Sequence, residues 1–186
     1  MSQLPQDAVL VVVDVQQAFD DPQWGERNNP AAESNIAALL AHWRRTERPI
    51  IHIHHRSARP GSLFHPDHPG FKVKPEAAPL PDEPVIHKAV NSAFIGTDLE
   101  QRLRARGAEV LVIVGITSDQ CVSTTARMAG NFGFTAFVVS DATATFERRG
   151  ANGRHFSAVD MHETALASLH TEFATVLDSA SMRARL

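Results

Sequence analysis

Residues 8–13 read AVLVVV, apolar at every position and mostly β-branched. A strand with one face in water alternates polar and apolar side chains. A strand without that alternation must be covered on both faces, which is the habit of parallel sheets. Runs of similar character recur at residues 49–53, 85–87, 110–115, 135–139 and 174–177. The intervals between most of them are long enough for helices. Buried strands alternating with helical stretches predict an α/β fold, with a six-stranded, mostly parallel sheet between helices in three α/β/α layers. With 186 residues, one domain spanning 1–186 is expected.

Helices are predicted at 31–45, 97–106, 120–131 and 157–169. The first carries Ile36, Leu39, Leu40 and Trp43 on one face. The second opens on Thr97-x-x-Glu100, a capping-box pattern, and stops at Gly107; Ser157-x-x-Asp160 is a weaker cap for the last. Residues 56–84 contain Pro60, Pro66, Pro69, Pro75, Pro79, Pro81 and Pro84, so no helix runs through them. They are expected to form an irregular excursion of the kind that often serves function. Residues 145–156, with Arg148, Arg149, Gly150, Asn152 and Gly153, form a second candidate loop.

The net charge of −3 gives no reason to expect nucleic acid or a membrane surface as partner. The longest apolar runs are strand-sized and no basic segment precedes the first, so a soluble, cytoplasmic protein acting on a small molecule is expected. The lone cysteine, Cys121, cannot form an intrachain disulfide. It is either a small buried apolar residue or a reactive thiol.

Ligands of open parallel sheets bind beyond the carboxyl ends of the strands. Three chemically complementary residues fall there: Asp14 directly after the first strand, Lys88 after the third, and Cys121 six residues past Gly115, where the fourth strand turns into a helix. A thiol in the first turn of a helix is favoured as thiolate, an ammonium nearby would favour it further, and a carboxylate can carry its proton. Each residue also has a plain structural reading, as turn former, solvated cation or packed thiol.

The segments VVVDVQQAF (11–19), HKAVNSAFIGT (87–97) and VGITSDQCVSTTARMAGNFGF (114–134) resemble the isochorismatase-like cysteine hydrolases, with DATATF (141–146) and SLHTEFATVL (168–177) in support. The likeness covers nearly the whole chain and weakens between 57 and 84. It implies a Rossmann-like strand order 3-2-1-4-5-6, Cys121 as nucleophile, and Asp14 and Lys88 as its partners. It further implies a cis peptide between Ile116 and Thr117, an oxyanion hole from the backbone N–H groups of Thr117 and Cys121, and a homodimer or homotetramer. In that order one strand separates Asp14 from Lys88, about 10 Å apart, so the lysine arm of about 6 Å must lean across the sheet edge.

Phe19 and Phe94 match positions that wall the pocket in relatives. Trp24, His54 and His55 are further candidate lining residues, and Phe146, His155 and Phe156 could close over the site. The nicotinamidases of this family hold a metal through an Asp-x-His pair. Here the corresponding stretch reads His54-His55-Arg56-Ser57, and His65 and His68 sit on a proline-rich loop, so neither metal nor other cofactor is expected. Retention of the cysteine favours cleavage of a C–N bond in an amide, carbamoyl, ureido or cyclic imide through a thioester. The alternatives are vinyl ether hydrolysis and a non-catalytic thiol redox or binding module.

Overall fold

The computed structural model describes residues 3–186. Six parallel strands form its sheet: β1 (Val9–Val13), β2 (Ile50–His55), β3 (Val85–Lys88), β4 (Val110–Ile116), β5 (Thr135–Ala144) and β8 (Thr175–Leu177). Their order is β3-β2-β1-β4-β5-β8. This is the expected 3-2-1-4-5-6 winding, because a separate two-stranded hairpin, β6 (Arg148–Arg149) and β7 (His155–Phe156), intervenes in the chain. That hairpin occupies the stretch expected to be a loop; its tip carries Gly150 and Gly153, the latter at φ +78°.

Period-two alternation splits the apolar side chains between two cores. Val9, Val11, Val13, Leu111 and Ile113 face α2 (Leu99–Ala105), α3 (Ser123–Asn131) and α4 (Ala158–Leu169). Leu10, Val12, Val112 and Val114 face α1 (Ala32–Arg45) and a short α5 (Ser179–Arg183), the latter not anticipated from sequence. Trp43 of α1 is fully buried there, and its indole N–H donates to Ala8 O at 3.0 Å. No helix of the described residues is long and apolar enough to cross a membrane.

The two cap signals exchange rank. Ser157 and Asp160 form a complete reciprocal capping box on α4. Thr97 instead accepts from Leu99 N–H and donates to Ala93 O, so α2 starts on Asp98 without a side-chain cap. The expected helix at 120–131 also divides. Its first turn, Ser118–Val122, is a π turn in which Val122 N–H donates to Thr117 O, and regular α-helix begins at Ser123.

Residues 56–84 contain only short 3-10 turns at Pro69–Phe71 and Pro75–Ala77. The excursion is fastened to the chain after β1. Gln17 N–H donates to Lys72 O, Lys74 N–H donates to Val15 O, and Ser57 N–H closes a smaller loop onto Phe64 O.

Candidate active site

The strand order reverses between β1 and β4, and the crevice beyond a reversal is where an open sheet offers space for a ligand. Asp14 lies just beyond β1 and Cys121 in the π turn beyond β4. In strict alternation Asp14 would follow Val12 to the α1 side. Its left-handed backbone, φ +51°, breaks the alternation at a cost of about 1–2 kcal/mol and turns the carboxylate toward the side of Cys121.

Lys88 reaches the same point from β3. It stands opposite His55 in register, and its side chain crosses the end of β2 to bring Nζ within 2.5 Å of Asp14 Oδ2. The ammonium also lies 3.3 Å from Cys121 Sγ, 3.2 Å from His55 Nδ1 and 3.1 Å from Val90 O. Asp14 and Lys88 are withdrawn from solvent, and Cys121 is 7% exposed. The lysine therefore spans the separation that the strand order imposes.

Electrostatics in this enclosure run against the expected acidified thiol. Burial pushes the Cys121 thiol up, the Asp14 charge adds to that, and the Lys88 ammonium offsets only part. Burial raises Asp14 as well, against the lowering pull of Lys88. His55 is held down to about 4, first by burial and then by the Lys88 charge, so near neutral pH its Nδ1 lone pair faces the ammonium. The thiol rests protonated beside a carboxylate of raised proton affinity.

Donor atoms of Asp14, His55 and Cys121 lie within 4.8 Å of one another, a spacing suited to a metal ion. Lys88 Nζ contacts all three residues, so the cation among them is the lysine's own.

Two further features shape the centre. The Ile116–Thr117 peptide is cis, immediately before the π turn. Gly115 has φ +126°, and a Cβ there would stand 1.9 Å from Val13 O, so this close approach of β4 to β1 admits only glycine. Gln16, wholly buried, binds both backbone groups of His55: its Oε1 accepts the N–H at 2.8 Å and its Nε2 donates to the carbonyl at 3.1 Å. The same Nε2 donates to Phe71 O at 2.9 Å and so ties the excursion to the sheet edge.

A cleft of about 740 Å³ is lined by His55 among others, but not by Asp14, Lys88 or Cys121 themselves. Phe64 and Trp24 form its apolar wall and pack with Phe19, Phe146 and Ile116; Phe64 stands 5.1 Å from the His55 ring. Trp24 thus lines the cleft, whereas Phe19 is buried behind it against Trp24, Phe64 and Phe146 and is not among the lining residues. Two other expected lining residues do not belong to it. His54 points to the opposite sheet face, between the rings of His52 and His87, because β2 runs two residues further than its apolar run and alternation separates His54 from His55. Phe94 packs on Phe132 and Phe134 in the core. His155 pairs with Glu147 at 2.7 Å, and Phe156 lies under Arg154.

Sequence reading missed Phe64, Gln16 and Asn91, the last 3.9 Å from Cys121 Sγ. Phe64 had a usable signal, as an aromatic among prolines and glycines. Gln16 and Asn91 sat inside the segments of resemblance without an assigned role.

The family profile described as Isochorismatase domain matches residues 8–181. The chain belongs to the isochorismatase family. An uncharacterized isochorismatase family protein of Bacillus subtilis, YrdC, is 49% identical over 168 residues, 90% of each chain. A crystal structure of an isochorismatase-family protein from Chromobacterium violaceum superposes with a TM-score of 0.97 at 44% identity, covering 100% of this chain and 96% of that one. A shorter match is the ureidoacrylate amidohydrolase RutB of Methylobacterium radiotolerans, 32% identical over 58% of this chain and 38% of that protein. As an isochorismatase-family hydrolase, the chain brings Asp14, Lys88 and Cys121 together where its own sheet order reverses.

Proposed function

We propose that the protein is a cysteine-dependent hydrolase that cleaves a C–N bond of a small amide, carbamoyl, ureido or cyclic imide substrate. The observation that carries this reading is the single ammonium, Lys88 Nζ, held at once against the Asp14 carboxylate at 2.5 Å and the Cys121 sulfur at 3.3 Å inside a buried crevice. A packing cysteine needs neither neighbour. Relatives named streptothricin hydrolase, nicotinamidase 3 and ureidoacrylate amidohydrolase supply the C–N class by analogy.

In the proposed cycle Asp14 accepts the thiol proton as Cys121 Sγ attacks the carbonyl carbon. The oxyanion is received by the backbone N–H groups of Thr117 and Cys121. The raised proton affinity of Asp14 suits it to pass that proton to the departing nitrogen, leaving a thioester. Asp14 then takes a proton from water as the hydroxide oxygen attacks the thioester, and the proton returns to sulfur as the acid leaves. Lys88 keeps a positive charge beside carboxylate and sulfur throughout. The buried thiol with its raised proton affinity also weighs against a redox-sensing module, which requires an exposed thiolate.

The test is an ammonia-release screen over amides, ureas and hydantoin-like rings. Turnover is expected for at least one class, falling by at least about 10³-fold in Cys121→Ala and in Asp14→Asn. Undiminished hydrolysis in Cys121→Ala would sink the scheme.

A further inference from the structure

The π turn that carries Cys121 has a shifted register at its entrance. Thr117 O accepts Gln120 N–H at 3.2 Å and Val122 N–H at 3.1 Å. In a regular α turn that oxygen would take the N–H of Cys121, four residues on. No bond from Cys121 N–H to Thr117 O exists among the described residues. The π register passes over Cys121 and leaves its N–H free of that acceptor, as an oxyanion donor must be. Helix geometry does not favour such a turn, so contacts from outside it must hold it.

Two side chains of the turn are held in this way. Asp119, its second residue, accepts from Thr145 Oγ1 at 2.5 Å and faces Arg148 Nε at 3.4 Å. Ser118, its first residue, is wholly buried, with Oγ 2.9 Å from His162 Nδ1. His162 comes from α4, whose start is fixed by the Ser157–Asp160 box. On its far side His162 Nε2 lies 3.3 Å from Asn29 Nδ2. That amide donates to Ser140 O at 3.0 Å and Thr143 O at 2.8 Å, in the irregular stretch of β5. The ring is therefore a strut between Ser118 and a fixed corner of the sheet. Burial lowers its pKa from 6.5, so near neutral pH it is uncharged. None of the steps assigned to Asp14, Lys88 and Cys121 uses it.

We propose that His162 is a positioning residue: through Ser118 it holds the π register that presents the Cys121 N–H to the oxyanion. When the strut is lost, the turn relaxes toward the α register and Cys121 N–H returns to Thr117 O. The oxyanion then lacks a donor while the sulfur stays reachable. This rests on the C–N hydrolase reading only for the kind of carbonyl attacked, since any carbonyl that Cys121 attacks forms the same oxyanion.

The experiment compares two thiol probes on the full chain and needs no substrate. Propanal adds reversibly to a thiol: the S–C bond forms, the carbonyl π bond breaks, and the thiol proton ends on the oxygen, which sits where an oxyanion would. The adduct is titrated by NMR with propanal isotopically labelled at its carbonyl carbon. Iodoacetamide alkylates sulfur without passing through an oxyanion, and Cys121 is the only cysteine of the chain. Ser118→Ala and His162→Leu are each expected to weaken the adduct by at least about tenfold and to change the alkylation rate by less than about twofold. The two together should cost no more than either alone. His162→Asn, which keeps an amide where Nδ1 stands, should recover most of the affinity. Undiminished adduct affinity in Ser118→Ala, or affinity and alkylation falling in parallel, would overturn the proposal. So would a wild type that forms no adduct up to tens of millimolar propanal, or whose thiol iodoacetamide does not reach. If His162→Leu does not fold, Ser118→Ala and His162→Asn decide it. Absence of ammonia release from every amide would remove the hydrolase reading and leave the strut standing. Amide turnover with an adduct indifferent to Ser118→Ala would do the reverse.

Discussion

His54 offers a quantitative test of where β2 places its histidines. The ring is 9% exposed, its Nε2 has no partner among the described residues, and His52 and His87 stand 6.4 Å and 6.0 Å away, centroid to centroid. Burial first, and then those two rings, lower its pKa from 6.5 to about 4. The folded protein therefore resists a proton that the unfolded chain accepts. The stabilisation is complete above pH 6.5 and is lost as pH falls toward 4. Between about pH 7.5 and about pH 4.5 this one group removes about 2.5 kcal/mol of folding free energy. His54→Leu keeps a similar volume and abolishes the titration. Urea unfolding at both pH values, followed by the fluorescence of buried Trp43, should show the variant losing about 2.5 kcal/mol less than the wild type over the interval. Cys121-dependent turnover should be unaffected, since the ring lies on the other sheet face. Wild type and variant falling in parallel, to within about 0.5 kcal/mol, would refute the burial argument.

Gly115→Ala forces a Cβ onto Val13 O at a φ of +126°, and should lower stability by about 3 kcal/mol or more in denaturant melts. Lys88→Met leaves the Asp14 carboxylate buried beside an apolar chain. A loss of about 3 kcal/mol is expected, of which the double variant with Asp14→Asn regains about 2 kcal/mol without regaining turnover. Strict additivity in that cycle would mean that the pair contributes no coupling.

The sheet was legible because its strands are buried on both faces, and runs such as VLVVV and VLVIVGI have no competing explanation. What escaped prediction was set by features that local sequence does not encode. The polar residues of β2 continue a strand past its apolar run, because β3 supplies partners for His54 and His55. β5 likewise runs on through the polar Ser140–Asp141 stretch, where its pairing with β4 is irregular. Positions of Asp14, Lys88 and Cys121 at one sheet edge followed from strand ends alone, but the proton affinity of the thiol did not. A helix start argues for a thiolate, and only the three-dimensional enclosure shows that burial outweighs it. Arg148 lay in a stretch read as loop, and its orientation depends on Asp119 and Thr145, distant from one another in sequence.

The excursion after β2 is fastened to residues just past β1 at two places. At its start the Gln16 amide holds His55, and at residues 71–74 it is held by the same amide and by the Gln17 and Lys74 backbone groups. Between Ser57 and Phe64, which bond to each other, the chain is free of the sheet. Lengthening such a closed loop is inexpensive, about 0.6 kcal/mol for each doubling. Residues 58–63 therefore behave as an exchangeable cassette. Insertions or swaps there can recut the entrance of the cleft while Asp14, Lys88 and Cys121 keep their spacing. Divergence of substrate choice among near relatives is expected to be written in this short segment first.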